Sequence, residues 1–294
     1  MPALVDDKCP TPDPAEDNAF FPSPYSLSQF TAPKSDLAGA DYPHPYTGKR
    51  WKVLMIGADE RYVPMDNGTK FSSGNHPIET LVPMIHLVQA GFQIDVATIS
   101  GNPVKFEYWA MPREDRAVMD FFSRYADQFN RPRKLEDVVA QGLGPESDYL
   151  AVFLPGGHGA LVGLPESKHV KAVLEWVSAH DKFIITLCHG PAALLAAGRA
   201  KDGRRSIFDG YRICAFPDAL DATTPDIGYM PGHLTWKFGE QLEQLGITII
   251  NEAISGQTLR DRNMLSGDSP LAGNALGQLA AATLLQAVQG GQPA

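Results

Sequence analysis

Residues 182–198 read KFIITLCHGPAALLAAG, and this stretch decides the fold. FIITL is a short, β-branched, apolar run of the length and character of a buried parallel strand. It leads directly into Cys188. Gly190 and Pro191 then open an Ala/Leu-rich helix, since proline suits a first helical turn. A strand turning sharply into a helix is half of a βαβ unit. The rest of the chain repeats the pattern on both sides. Before it come the strand KVLMIGAD (52–59), the helix IETLVPMIHLVQAG (78–91), the strand FQIDVATIS (92–100), the strand DYLAVFLPGGHG (148–159) and the helix ESKHVKAVLEWVSAHD (166–181). After it come the strand RICAFPDA (212–219), the helix HLTWKFGEQLEQLG (233–246), the strand ITIINEAI (247–254) and a last helix over 274–289. This alternation predicts an α/β fold: a doubly wound, mostly parallel sheet flanked by helices, flavodoxin-like in kind.

Two stretches break the rhythm. Residues 1–50 are rich in proline and predict an N-terminal arm anchored by Phe20, Phe21, Tyr25 and Phe30. Residues 101–148 are polar, aromatic and basic in patches, and read as a helical insertion that forms a small lobe with the arm. The α/β core then spans 51–294, interrupted by 101–148.

Composition narrows the function. The 294 residues carry 25 Lys+Arg against 34 Asp+Glu, a net charge of −9, with 44% apolar and 20% charged residues. That is globular, not disordered. The acidic balance argues against tight nucleic-acid binding. No apolar run is expected to approach the roughly 18 residues of a membrane helix, and the start lacks a secretory pattern. Three cysteines with no pairing pattern point to a reducing, cytoplasmic setting.

In an open α/β sheet, ligands bind at the carboxyl ends of strands. That rule favours Cys188 as a nucleophile on a sharp elbow, its thiolate helped by the adjoining helix N-terminus. Cys214, flanked by Ile213, Ala215 and Phe216, reads as a packing residue, and Cys9, in the proline-rich arm, has no organised partners. Gly156 and Gly157, one strand away, could let amide N–H groups join that of His189 in an oxyanion hole. His189 pairs most naturally with a carboxylate, Asp221 first and Asp218 second. As the direct neighbour of Cys188 it is poorly placed to face the sulfur. Glu79, opening the helix at 78–91, is the acid/base group that could do so, with a pKa raised by partial burial. Histidine spacing supports no metal site, and no cofactor motif is present.

Longer stretches carry a resemblance. AEDNAFFPSPYSLSQFT, ADERYVPMDNG, GNHPIET, KFEYWAMP, PGGHGALVGLPES, LCHGPAA, ICAFPDA, GYMPGHLTW and GDSPLAGNALG together resemble the bacterial HchA-type glyoxalase III, also described as a protein deglycase and holding chaperone. That group lies in the PfpI-like branch of the class I glutamine-amidotransferase superfamily. The resemblance implies a homodimer, with Cys188 as nucleophile, Glu79 as proton-transfer acid, and His189 and Asp221 completing a triad. It also implies a metal at positions that hold Val88, Gln93 and Tyr125 here, none a strong zinc ligand. The basic stretch GRAKDGRRSIFDG is a surface loop without an assigned role.

The expected activity is conversion of methylglyoxal or glyoxal to a 2-hydroxy acid (D-lactate from methylglyoxal) without glutathione, and removal of early glycation adducts from proteins and nucleotides. Two alternatives stand beside it: a holding chaperone for unfolded clients, and a cysteine amidase or peptidase.

Overall fold

In the computed structural model, residues 6–198 and 206–290 are described. Part of the basic loop, residues 199–205, lies outside them.

The arm contributes strands β1 (Thr11–Pro12) and β2 (Ala19–Phe21) and helix α1 (Pro24–Phe30). The core begins with β3 (Lys52–Ile56), then the short β4 (Tyr62–Pro64) and β5 (Lys70–Ser72), helix α2 (Pro77–Gln89) and β6 (Gln93–Thr98). The inserted stretch supplies α3 (Arg116–Asn130), β7 (Arg133–Lys134) and α4 (Leu135–Ala140). Next come β8 (Tyr149–Leu154), α5 (Lys168–Ala179) and β9 (Phe183–Leu187). The chain then runs through β10 (Arg212–Ile213), α6 (Asp218–Asp221), α7 (Phe238–Gln244), β11 (Thr248–Ile249), β12 (Thr258–Asp261), β13 (Met264–Gly267) and α8 (Gly273–Gln289).

Seven strands form the main sheet in the order β12-β13-β9-β8-β3-β6-β7. All neighbours run parallel except the β12–β13 hairpin. The expected fold class therefore stands. The central strands are hydrophobic on both sides because both sheet faces are covered. One face packs against α2, α3 and α8 through residues such as Leu81, Phe92, Phe121 and Leu284. The other packs against α5 and α7 through Val173, Leu174, Phe238 and Leu242.

Several local expectations are corrected. The fifth core strand is β13, not RICAFPDA. Only Arg212–Ile213 of that stretch is a strand, pairing with β11 in a separate two-stranded sheet. The short MLSG of β13 does not stand out in sequence, yet it takes the slot beside β9. The small sheet, β1-β2-β5-β4, joins the arm to residues 62–72 and not to the insertion. The inserted stretch packs on the main core, with Val118, Phe121 and Phe129 buried there, and also meets the arm, where Ser35 donates to Asp115, and the small sheet, where Trp109 donates to the Ser72 carbonyl. Over Pro270–Gln289, the stretch containing α8 does reach the length and apolar content of a membrane span, with a mean hydropathy of 1.2. Its Leu276, Ala280, Ala281 and Leu284 are fully buried in the core, which accounts for that apolar character.

Candidate active site

The carboxyl ends of β8 and β9 and the amino end of α2 meet at one place. Cys188 leaves β9 with φ +55°, a left-handed conformation that only four non-glycine residues adopt among those described. For such a residue the strain is about 1–3 kcal/mol. It is held by a bond from the Cys188 N–H to the Gly267 carbonyl (3.0 Å) and by Phe216 N–H donating to the Cys188 carbonyl (3.0 Å). The elbow expected from sequence is present. The chain continues from it as a 3-10 helix, Gly190–Ala197, in place of the expected α-helix. Gly190 permits this turn, since a Cβ there would come 2.7 Å from Thr186 Oγ1 and 2.9 Å from the Pro155 carbonyl.

Glu79 lies in the first turn of α2, which Pro77 opens. It is fully buried. Gly156 is the spacer that brings it to the cysteine. A Cβ on Gly156 would collide with Glu79 Oε2 and stand 2.8 Å from Cys188 Cβ, so only glycine lets the two side chains share this space. Neither Glu79 oxygen reaches a protein donor in good hydrogen-bond geometry. Burial, with no cation beside it, pushes the carboxyl well above the ordinary range, while the adjoining Cys188 thiol pulls the other way. Burial therefore outweighs the dipole of the helix end, which favours an ionised acid.

On its other side the sulfur meets His189. The Sγ to Nδ1 separation is 3.3 Å, and His189 Nε2 lies 2.8 Å from Asp221 Oδ2. Adjacent side chains are expected to diverge at a sharp turn, and the structure corrects this. The left-handed backbone at Cys188 turns both side chains to the same side. Asp221 is 4% exposed, yet it is held well below the usual carboxylate range. Burial alone would raise it, and the two histidines beside it, His189 and His158, overcome that. An ionised carboxylate can only accept, so the Nε2 of His189 carries the hydrogen and Nδ1 is left as the acceptor facing the thiol. Asp218, the second choice, accepts from the N–H groups of Gly239 and Glu240 at the start of α7. It serves as a cap and does not pair with His189.

The expected low thiol pKa is also corrected. Burial first, then the Glu79 carboxyl, Asp221 and Glu107, push the Cys188 thiol up. Cys188 is 4% exposed and its sulfur lies among carboxyl groups, against which a short 3-10 turn has little to offer. Cys188 and Glu79 are thus coupled: the carboxyl disfavours the thiolate, while the adjoining thiol favours the carboxylate. Gly156, Gly157 and His189 donate no backbone-to-backbone hydrogen bond among the described residues. Cys214 is buried, its thiol pushed up to about 12, and Cys9 is exposed.

Three buried neighbours were not assigned roles from sequence. His158 Nε2 is 3.1 Å from Asp221 Oδ1, and its Nδ1 is 4.0 Å from Glu107 Oε1. His76, the N-cap of α2, is held at about 3 by burial and by the neighbouring His158. Glu107 offered a readable signal: a carboxylate between Phe106 and Tyr108–Trp109 in sequence has few ways to reach water.

The metal positions implied by the resemblance do not fit a zinc ion. Val88 and Tyr125 pack on the hydrophobic core, with Tyr125 stacked on Phe121 at 4.7 Å, and Gln93 is an exposed amide. Hydrocarbon, phenol and amide make a poor set of zinc ligands. His158, His189 and Asp221 have ligand atoms within 4.8 Å of one another. Those atoms are engaged with each other.

The chain is similar to several known proteins. The sequence pattern of the DJ-1/PfpI family matches residues 71–213. The chain is 60% identical over 280 residues to the protein/nucleic acid deglycase HchA of Escherichia coli O7:K1, covering 95% of this chain and 97% of that protein. It is 59% identical over 283 residues to protein/nucleic acid deglycase 1 of Escherichia coli K12, covering 96% and 98%. Among solved structures, glyoxalase III from Candida albicans aligns with a TM-score of 0.62 at 21% identity, covering 79% of this chain and 97% of that one. The Francisella tularensis Rapid Encystment Protein 24 KDa aligns with a TM-score of 0.62 at 20% identity, covering 79% and 98%. At that level of identity the likeness speaks for the fold alone.

Proposed function

Because this chain belongs to the HchA-type deglycases of the DJ-1/PfpI family, we propose that it is a cysteine-dependent deglycase. It acts on early adducts of small dicarbonyls with proteins and nucleotides, and on methylglyoxal and glyoxal themselves. The observation that carries this reading is the placement of one sulfur between an acid kept protonated by burial, Glu79, and an imidazole backed by an ionised carboxylate, His189 with Asp221.

Each group then has a task. His189 Nδ1 takes the thiol proton, and Asp221 stabilises the imidazolium that results. The sulfur adds to the aldehyde carbon. Protonated Glu79 supplies the hydrogen that the carbonyl oxygen gains, so a neutral hemithioacetal forms. The Glu79 carboxylate next removes the hydrogen on that carbon and returns it to the neighbouring carbon, with the hydroxyl protons balanced through His189. A thioester of the 2-hydroxy acid results. Water cleaves it, giving D-lactate from methylglyoxal, and restores the thiol and the acid. No electron acceptor or glutathione enters the balance. For an early adduct, attack at the carbon bearing both oxygen and nitrogen releases the amine. The N–H groups of Gly156, Gly157 and His189 are the oxyanion donors in this scheme.

The same reading puts the protein in the cytoplasm as a homodimer. The holding role receives less support. Among the described residues, the large exposed apolar side chains are Phe30, Tyr108, Ile207 and Leu271. Phe106, Phe122 and Phe129 pack on one another. A cysteine peptidase would use the Cys188–His189 pair, but has no task for a buried carboxyl beside the sulfur at Glu79.

The test is D-lactate formation from methylglyoxal and release of free amine from a glycated peptide by purified protein. Cys188→Ala is expected to fall to background in both. Wild-type rates in that variant would overturn the reading.

A further inference from the structure

We propose that His158, backed by Glu107, is a positioning residue that acts on the reaction through Asp221. The inference rests on the assignment of Cys188, His189 and Asp221 to the reaction, and adds a residue to it.

Asp221 is clamped between two imidazoles. Its Oδ2 meets His189 Nε2 at 2.8 Å and its Oδ1 meets His158 Nε2 at 3.1 Å. The two rings lie with centroids 4.0 Å apart and planes 36° apart. No backbone N–H bonds this carboxylate among the described residues, so the two histidines alone set its rotation about Cβ–Cγ. An ionised carboxylate must be donated to by both, and one that loses His158 is free to swing. A swung Asp221 no longer holds the His189 hydrogen at Nε2. The tautomer that leaves Nδ1 facing the sulfur is then no longer enforced.

His158 is itself fixed from three sides. Its ring meets the edge of Phe71 at 5.3 Å and 80°. Its Nδ1 faces Glu107 at 4.0 Å, and Glu107 Oε1 in turn accepts from Ser73 Oγ at 2.7 Å. Glu107 is 1% exposed and His158 5% exposed, so neither can relax into water. Ser73 comes directly after β5 of the small sheet, and Glu107 caps the 3-10 helix Tyr108–Ala110 of the inserted stretch. The elements outside the core thereby bear on the triad through one imidazole. The left-handed Gly157 just before it, at φ +100°, sets the direction in which His158 leaves β8.

The experiment measures kcat and KM for methylglyoxal in His158→Leu and His158→Gln, each alone and combined with Asp221→Asn. His158→Leu is expected to lower kcat by roughly 10–100-fold with KM within about 3-fold, since it misaligns a group used in the transition state and not in binding. His158→Gln can present an N–H where Nε2 stood, and is expected to recover most of that loss. In the Asp221→Asn background, His158→Leu should cost less than about 3-fold more, because the group it acts through is already disabled. Should His158→Leu fail to fold, His158→Asn, polar but too short to reach Oδ1, takes its place in the same cycle. Unchanged kcat in His158→Leu, equal losses in Leu and Gln, or a full multiplicative loss on top of Asp221→Asn would each overturn the inference. Active Cys188→Ala or Asp221→Asn enzyme would instead overturn the reading beneath it.

Discussion

The two ends of the main sheet handle charge in opposite ways. At the amino ends of the strands, Asp95 is met by Lys52 at 3.7 Å, by Arg133 at 3.5 Å and by the Tyr149 hydroxyl at 2.8 Å. The Asp95, Lys52 and Arg133 side chains keep a quarter to a third of their surface in water. At the carboxyl ends, Glu79, Glu107, Asp221, Cys188, His76, His158 and His189 are all buried, and no lysine or arginine forms an ion pair with any of them among the described residues. The first cluster is ordinary surface electrostatics, with little to gain and little to lose. The second keeps ionisable groups where their charges are costly, and that cost is what raises Glu79 and the Cys188 thiol. An acid that must remain protonated near neutral pH has to be placed away from water and away from cations.

This contrast can be broken at several points. Asp221→Asn should have the largest effect on kcat among these changes, roughly 10²–10⁴-fold, because it removes both the charge and the tautomer control at His189. Glu79→Gln should lower kcat by about 100-fold or more, the usual worth of a general acid/base. The same variant should be more stable than wild type. A buried acid raised above its unfolded value contributes stability that is complete below the ordinary carboxylate range and is lost as pH climbs through its folded value. Glutamine does not ionise. Thermal denaturation should therefore show Glu79→Gln ahead by a few degrees at pH 8, corresponding to about 1 kcal/mol or more, with the gap closing near pH 4. A gap independent of pH would contradict burial as the cause. At the opposite end of the sheet, Asp95→Asn should leave kcat within about 2-fold and cost roughly 1 kcal/mol or less in urea denaturation. A catalytic loss there would mean that the two ends are coupled.

Much of this was legible in the sequence, and the misses have physical causes. FIITL leading into Cys-His-Gly-Pro announced the elbow, because buried parallel strands are apolar throughout and proline marks a helix start. Glu79 could be singled out because a carboxylate amid Ile78, Leu81 and Val82 has little access to water. Other features could not be read. The β13 strand is four residues long and wins its place through pairing with β9. The sign of the Cys188 shift depends on carboxyl groups from distant parts of the chain, Glu79, Glu107 and Asp221, that only the fold assembles. His189 faces the sulfur because Cys188 adopts a backbone conformation its residue type does not announce. The pairing of the arm with residues 62–72 is likewise set by short strands whose register leaves no periodic trace.

The most direct measurement is a difference infrared spectrum of wild type against Glu79→Gln at pH 7, with the carboxyl groups resolved by isotope labelling of glutamate. A carbonyl band of a protonated, non-hydrated carboxylic acid, present in wild type and absent from the variant, is the result expected here. A pair of carboxylate bands in its place would mean that Glu79 is ionised beside Cys188, and that the acid at the centre of the proposed chemistry has no proton to give.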